Sequence, residues 1–257
     1  MNLTTEVQKD TANNSIAKAV AILNCFSYEK PRLRLKDIVA LTGINQTTAF
    51  RMLSSLKEFG FIEQREGTYA LGTGFLRYEG IVLHSMEVRR VSLPFIDELS
   101  NTFKVSVSLA IRDGYEVVYV GRSETAFFAY SYVHIGMRRP AYCTALGKVL
   151  LCQQPEIVHE MYKRPIDRFT RNTITDEAQF VRELEQVRLQ GYAVDREEGN
   201  NGMNCIAAPL FGPAGEVVAG ISITTSTSTH QFDQMLDYVP PLLDYARRIS
   251  ARLGWTN

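Results

Sequence analysis

The stretch that most constrains this chain is residues 35–59, where two short helical runs flank a tight turn. Leu35-Lys36-Asp37-Ile38-Val39-Ala40-Leu41 is followed by Thr42-Gly43-Ile44, then by Asn45-Gln46-Thr47-Thr48-Ala49-Phe50-Arg51-Met52-Leu53-Ser54-Ser55-Leu56. Ala49, Met52, Leu53 and Leu56 recur at i, i+3, i+4 and i+7, so they share one helix face and predict burial there. Gln46, Thr47, Phe50, Arg51 and Ser54 then point away. Gly43 supplies the permissive backbone of the turn, and Asn45 is placed to cap the second helix. This is the layout of a helix-turn-helix whose second helix enters a DNA major groove. Amphipathic helix pairs also occur in all-α proteins that never meet nucleic acid, so charge and context must decide. Between Lys30 and Lys57 stand six basic residues (Lys30, Arg32, Arg34, Lys36, Arg51, Lys57) against one acid, Asp37. Phe61 to Leu71 reads as two short strands around a turn at Gly67. Helix, helix-turn-helix, then hairpin is the order of a winged helix.

At 257 residues the chain has material for two domains. Lys plus Arg and Asp plus Glu balance at 28 each. That argues against a non-specific coating protein but leaves room for local phosphate contacts. The four cysteines, Cys25, Cys143, Cys152 and Cys205, form no CxxC pair and show no zinc spacing. Cys25 reads as a small buried side chain in an apolar helical run. No signal-peptide core opens the chain, and no run of about 18 apolar residues would span a bilayer. The expectation is a cytoplasmic protein with no membrane partner.

Residues 1–14 are polar and aperiodic, a loose tail. A winged helix-turn-helix is expected over 15–72, its first helix capped by Ser15 and burying Ile16, Ala19, Val20, Leu23 and Phe26. A helical linker follows over 73–90, and an α/β domain over 91–257. In the latter, Val105, Val107 and Leu109 alternate with small polar residues as a strand, and Tyr115 to Val120 returns after an Asp113-Gly114 turn. Phe127 to Ile135 is a further expected strand, and Thr144 to Cys152 a helix. Asp176 to Gln190 is strongly helical, with Gly191 as its stop. Three strands are expected around Tyr192–Glu197, Cys205–Phe211 and Val217–Thr225, then a closing helix from Asp233 to Leu253 interrupted near Pro240-Pro241. Strands grouped with flanking helices make this an α+β fold with an antiparallel sheet.

From Ser15 to Leu253 the sequence resembles the IclR family of bacterial transcription regulators. The resemblance rests on Ser15 to Leu23 with the helix-turn-helix and wing, then on Thr144-Ala145-Leu146-Gly147-Lys148-Val149-Leu150-Leu151. Gly191-Tyr192-Ala193-Val194-Asp195-Arg196-Glu197-Glu198, Cys205-Ile206-Ala207-Ala208-Pro209-Leu210 and Gly220-Ile221-Ser222-Ile223-Thr224 complete it, in order. The resemblance implies a GAF-like domain that binds a small organic acid, and a dimer or dimer of dimers on operator DNA. RNA polymerase would be a partner if the protein activates. No cofactor and no metal are expected. The family's pocket falls here on Ala145, Leu146, Asp195, Cys205, Ser222 and Thr224. Ser222 and Thr224, two apart on a strand, project their hydroxyls from one face, and the turn into the helix at Thr144 offers free N–H groups to a carboxylate. Asp195 facing an anion would bond a ligand hydroxyl or a backbone N–H, or hold a proton. Ile135 to Tyr142 looks most like the branch governing aromatic-acid breakdown through protocatechuate, hydroxybenzoate or ketoadipate. Arg138 or Arg139 there would pair with a ligand carboxylate.

On DNA, Gln46, Thr47 and Arg51 are expected at base edges, Arg51 suited to guanine and Gln46 to adenine. Phe50 would meet a thymine methyl or pack against a neighbouring helix. Thr48, Lys36 and Arg34 suit phosphates, and Arg65 at the wing tip suits a minor groove. An enzyme using Cys143 or Cys205 with one of His84, His134, His159 and His230 is the alternative. No His stands in a Cys–His or Ser–His–Asp signature, and there is no GxSxG, Walker loop or HExxH. A second alternative is a sensing adaptor whose winged helix contacts only protein. Glu197 and Glu198 beside Asp195 read as a solvated turn rather than a metal site.

Overall fold

The computed structural model describes residues 15–124 and 133–256, and its contacts divide the chain into two compact units, Met1–Ser85 and Met86–Asn257. The first unit runs α1 (Ser15–Leu23), β1 (Leu33–Arg34), α2 (Leu35–Thr42), α3 (Gln46–Glu58), β2 (Ile62–Arg65), β3 (Thr68–Leu71) and α4 (Gly74–Ser85). The strands form an antiparallel sheet in the order β1-β3-β2. Gly43 ends α2 at φ 68°, its N–H returning to the Val39 carbonyl. Asn45 caps α3, its side chain accepting the Thr48 N–H at 2.9 Å. Ile22, Leu33, Ile38, Leu53, Ile62 and Tyr69 form the core, with Leu23, Phe26, Met52 and Leu56 packed against it.

The first helix departs from its expected face. Ile22 is the residue of α1 that is buried, whereas Ile16 and Val20 are exposed, and Phe26 lies beyond the helix end at Leu23. A nine-residue helix is too short for its periodicity to fix the rotation. Cys25 is only half-buried and also lies past the helix.

The second unit holds α5 (Glu87–Phe103), β4 (Ser106–Asp113), β5 (Glu116–Ser123), β6 (Arg138–Pro140), a 3-10 turn (Ala141–Cys143), α6 (Ala145–Leu151), α7 (Pro155–Tyr162), α8 (Glu177–Gln190), β7 (Ala193–Arg196), β8 (Met203–Phe211), β9 (Val217–Ser226), α9 (Phe232–Leu236) and α10 (Val239–Arg252). Its strands make one antiparallel sheet in the order β6-β5-β4-β9-β8-β7. The parity of the pleat separates two faces. Leu109 pairs with Gly121 and Ile221, and a Cβ at Gly121 would touch Leu93, so α5 covers that face. α10 packs beside α5. The other face carries Ser222 and Gly220, where a Cβ would press into Leu146 and Val149 of α6.

Several expectations need correcting here. The strand expected from Phe127 to Ile135 falls mostly outside the described residues, and 133–135 are not strand. The closing helix is interrupted as expected, between α9 and α10, and the Pro pair stands in the first turn of α10, where a missing amide donor costs no helix bond. The arginine stretch at 138–140 forms a short edge strand, where no strand was expected. α7 was not anticipated, although Pro155 at its start and Glu156 in its first turn are helix-opening residues.

Candidate functional site

In the first unit α3 turns Ala49 and Leu53 inward, and so presents Gln46, Thr47, Phe50, Arg51 and Ser54 to solvent. Phe50 is 51% exposed, so about half of it is open to solvent. Arg34 and Lys36 are exposed at the start of α2, where the Arg34 N–H donates to Asp37 at 3.0 Å. Thr48 is half-buried. The β2–β3 turn places both Glu66 (φ 50°) and Gly67 (φ 72°) in the left-handed region, the two-residue form that matches strand twist. Arg65 ends β2 beside that turn, exposed, with Glu63 at 3.4 Å. Glu63 also holds Arg32 at 2.8 Å, so part of the basic excess is answered internally.

In the second unit a cavity opens between the sheet and α6. Its walls include Ala145 and Leu146 from α6, Asp195 from β7, Cys205 from β8, and Ser222 and Thr224 from β9. Register explains the convergence: Asp195 pairs with Cys205, Cys205 with Thr224, and Ala207 with Ser222, so all project to the α6 side. Tyr119, Met137, Arg139, Thr144, Gly199, Asn200 and Met203 complete much of the wall. The space open to the centre of a water molecule is about 60 Å³. A larger hollow of about 500 Å³, at Pro94, Phe95, Glu98 and Arg248, is an open dent on the α5–α10 face and gathers no such set.

α6 is seated by two close approaches. The Thr144 hydroxyl accepts the Gly147 N–H at 2.9 Å, and a Cβ at Gly147 would stand 1.9 Å from the Ala141 carbonyl oxygen. Ala145 and Leu146, the first helical residues, have amides with no acceptor within the helix. Arg138 does not reach the cavity: it pairs with Asp113 at 2.6 Å and Glu116 at 2.7 Å across the β4–β5 hairpin. On a strand successive side chains face opposite ways, and it is Arg139 that lines the cavity. Arg139 donates to the Gly199 carbonyl at 2.9 Å and lies over the Phe169 ring.

The acidic run after β7 is not a solvated turn. Glu198 is 6% exposed, and its Oε1 receives the fully buried Lys148 ammonium at 2.7 Å. Lys148 also donates to Glu183 at 2.9 Å and to the Val194 carbonyl at 2.7 Å. The following carbonyls are held from outside: Arg196 by Asn172, Glu197 by Thr170, Glu198 by Thr170 and Thr173, Gly199 by Arg139. Burial, with the Glu198 charge beside it, pushes the Asp195 carboxyl up to about 7. Burial also pushes the Cys143 thiol up to about 12 and raises that of Cys205. Such thiols stay protonated and are poor nucleophiles. No group of metal-ligating side chains occurs among the described residues.

Residues 80–251 match the family described as "Bacterial transcriptional regulator IclR C-terminal", and residues 15–66 match the "IclR helix-turn-helix domain". The chain belongs to the IclR family of transcription regulators. It is 33% identical to the HTH-type transcriptional regulator KipR of Bacillus subtilis over 247 residues, 95% of this chain and 98% of that protein. The p-hydroxybenzoate hydroxylase transcriptional activator of Acinetobacter baylyi is 30% identical over 245 residues, 93% of this chain and 90% of its own length. The crystal structure of the Thermotoga maritima IclR superposes with a TM-score of 0.75 at 28% identity, covering 94% of this chain and 99% of that one. This IclR regulator is therefore a ligand-responsive, DNA-binding transcription regulator and not an enzyme.

Within the regulator's cavity, sequence reasoning did not name Tyr119, Val133, Gly199, Asn200 or Met203, and read Thr144 only as the turn into the helix. Thr144 carried a visible signal, a hydroxyl just before a helical run, which is a cap. The others reach the cavity only through pairing across the sheet and through the strapped loop. No helix is long and apolar enough to cross a membrane among the described residues.

Proposed function

We propose that the cavity takes a small organic acid, aromatic or a dicarboxylate derived from one, and that its occupancy adjusts how the winged helix meets operator DNA. The observation that carries this reading is that one arginine, Arg139, the Ser222 and Thr224 hydroxyls and the start of α6 line a single cavity. A guanidinium is matched to a carboxylate, and Ser222 and Thr224 suit the acid's further oxygens. The likeness to an activator named for p-hydroxybenzoate hydroxylase supports the aromatic class.

In this reading Arg51 and Gln46 take base edges, Thr47 and Phe50 take base edges and a thymine methyl, and Arg34, Lys36 and Thr48 take phosphates. Arg65 enters or rims a minor groove. The regulator works as a homodimer, each head on one half-site. Exposed Tyr78, Ile81 and Val82, on one side of α4, a helix with no buried residue, supply an apolar surface for a second copy.

A thermal-shift screen with 4-hydroxybenzoate, protocatechuate, ketoadipate, pyruvate and glyoxylate tests the effector class. A ligand that binds only the folded state stabilises it by about 2.7 kcal/mol at a hundredfold excess over its dissociation constant. Stabilisation by an aromatic or dicarboxylic acid, abolished in Arg139→Ala, is the expected result. Stabilisation by pyruvate or glyoxylate alone removes the aromatic assignment.

A further inference from the structure

Asp195 is 6% exposed, lines the cavity and has no cation of its own. Its Oδ1 accepts the Glu198 N–H at 2.7 Å, and the Gly199 amide bonds to the same carboxyl. Lys148 commits its three donors to Glu183, Glu198 and the Val194 carbonyl. Arg139 reaches the Gly199 carbonyl. The ionisable groups packed around Asp195 are Glu198 on its own loop, Cys205 on β8, Cys143 on the 3-10 turn, Tyr119 on β5, Lys148 on α6 and Arg139 on β6, with Glu183 of α8 behind Lys148. Two cations, Lys148 and Arg139, thus stand among three carboxyls, Asp195, Glu198 and Glu183. Glu198 and the half-exposed Glu183 share the one ammonium, and burial raises the Glu198 carboxyl as well, but Asp195 alone of the three touches no cation. A buried carboxylate without a cation gains a proton rather than staying charged.

We propose that Asp195 carries a proton in the folded regulator and is the cavity's hydrogen-bond donor, receiving the oxygen of an anionic effector opposite Arg139. With Asp195 neutral, Arg139 leaves the cavity wall with one positive charge, matched to one carboxylate. Were Asp195 ionised, the incoming anion would meet a second anion. Effector binding above neutral pH therefore takes one proton from solvent. The inference rests on the cavity being the effector site, as proposed above. It makes Asp195 a selector of ligands that present an acceptor oxygen at that point.

The upward shift to about 7 sets the pH windows. Without ligand, a carboxyl with a raised folded-state pKa favours folding less and less as pH climbs from its unfolded pKa to its folded one, then changes nothing further. Asp195→Asn keeps an acceptor for the Glu198 amide and mimics the protonated acid. Its unfolding equilibrium, relative to the parent, should improve about tenfold per pH unit between pH 5 and 7 and level off above. In the parent, affinity for 4-hydroxybenzoate should be flat below pH 7 and fall about tenfold per unit above it, with proton uptake at pH 8 seen by calorimetry in two buffers of different ionisation heat. Asp195→Asn should bind with no such fall.

A pH-independent stability difference between the two proteins overturns the proposal. So does transfer of the pH dependence to Glu198→Gln, which would put the proton on Glu198. If Asp195→Asn fails to fold, proton uptake by the parent decides alone, and none at pH 8 sinks the idea. Binding of 4-hydroxybenzoate by the parent at no pH, with the stability difference intact, leaves the proton on Asp195 and removes the aromatic-effector reading instead.

Discussion

Lys148 shows how much one side chain in this chain depends on its neighbours. A fully buried ammonium is tolerable only because two carboxylates and a carbonyl meet it within 2.9 Å. Lys148→Met leaves Glu198 buried without a cation and should cost about 3–5 kcal/mol in denaturant unfolding. Adding Glu198→Gln should recover part of that loss, so the double substitution is less damaging than the sum of the two alone. In the head, Arg51→Ala should cost about 1–3 kcal/mol at one base pair in operator titrations if it reads guanine. Equal weakening on operator and random DNA would make Arg51 a phosphate contact. The two arginines at 138 and 139 mark where residue-level reading stopped. Both have the right chemistry for a carboxylate, and only strand parity tells which one faces the cavity.

At the level of elements, α6 carries the cavity because the chain lets it approach closely. Gly147→Ala puts a methyl group 1.9 Å from the Ala141 carbonyl oxygen, so the helix must move off the turn. A loss of about 1–3 kcal/mol is expected, read from the denaturant midpoint. Thr144→Ala, which removes the cap, should cost about 1 kcal/mol. The long, strongly patterned elements were legible in the sequence: α3, α8 with its Gly191 stop, and the strands β8 and β9. The short ones were not. β6 is three residues, two of them arginine, and it is a strand only because β5 lies beside it. The site followed the same division. Ala145, Leu146, Asp195, Cys205, Ser222 and Thr224 were named through the family resemblance, and strand pairing and the start of α6 bring them to one wall, while Gly199 and Asn200 depend on a loop held by distant side chains.

For the whole molecule, coupling between operator and effector is a matter of linked equilibria. If the acid changes operator affinity by some factor, operator DNA must change affinity for the acid by the same factor. Titrating 4-hydroxybenzoate with and without operator, alongside operator titrations with and without the acid, checks this. Unequal factors would mean that a further equilibrium, such as assembly, intervenes. The salt dependence of operator binding separates the two roles given to the head. Lys36→Ala should lower the slope of log affinity against log salt by about one for each head that loses a phosphate contact.

The strapped loop beyond β7 has a consequence for when this regulator can sense anything. Its carbonyls are held by Asn172, Thr170, Thr173 and Arg139, partners 24 to 60 positions away along the chain. Contacts of such span close late, after the intervening chain has been ordered. The cavity wall is therefore not a local structure that frays and re-forms by itself. Opening it means giving up long-range bonds of the whole C-terminal unit at once, so the amides of Glu198 and Gly199 should exchange with solvent as slowly as those of the central strands. If the cavity is the effector site as proposed, a chain that cannot close this loop should bind no effector.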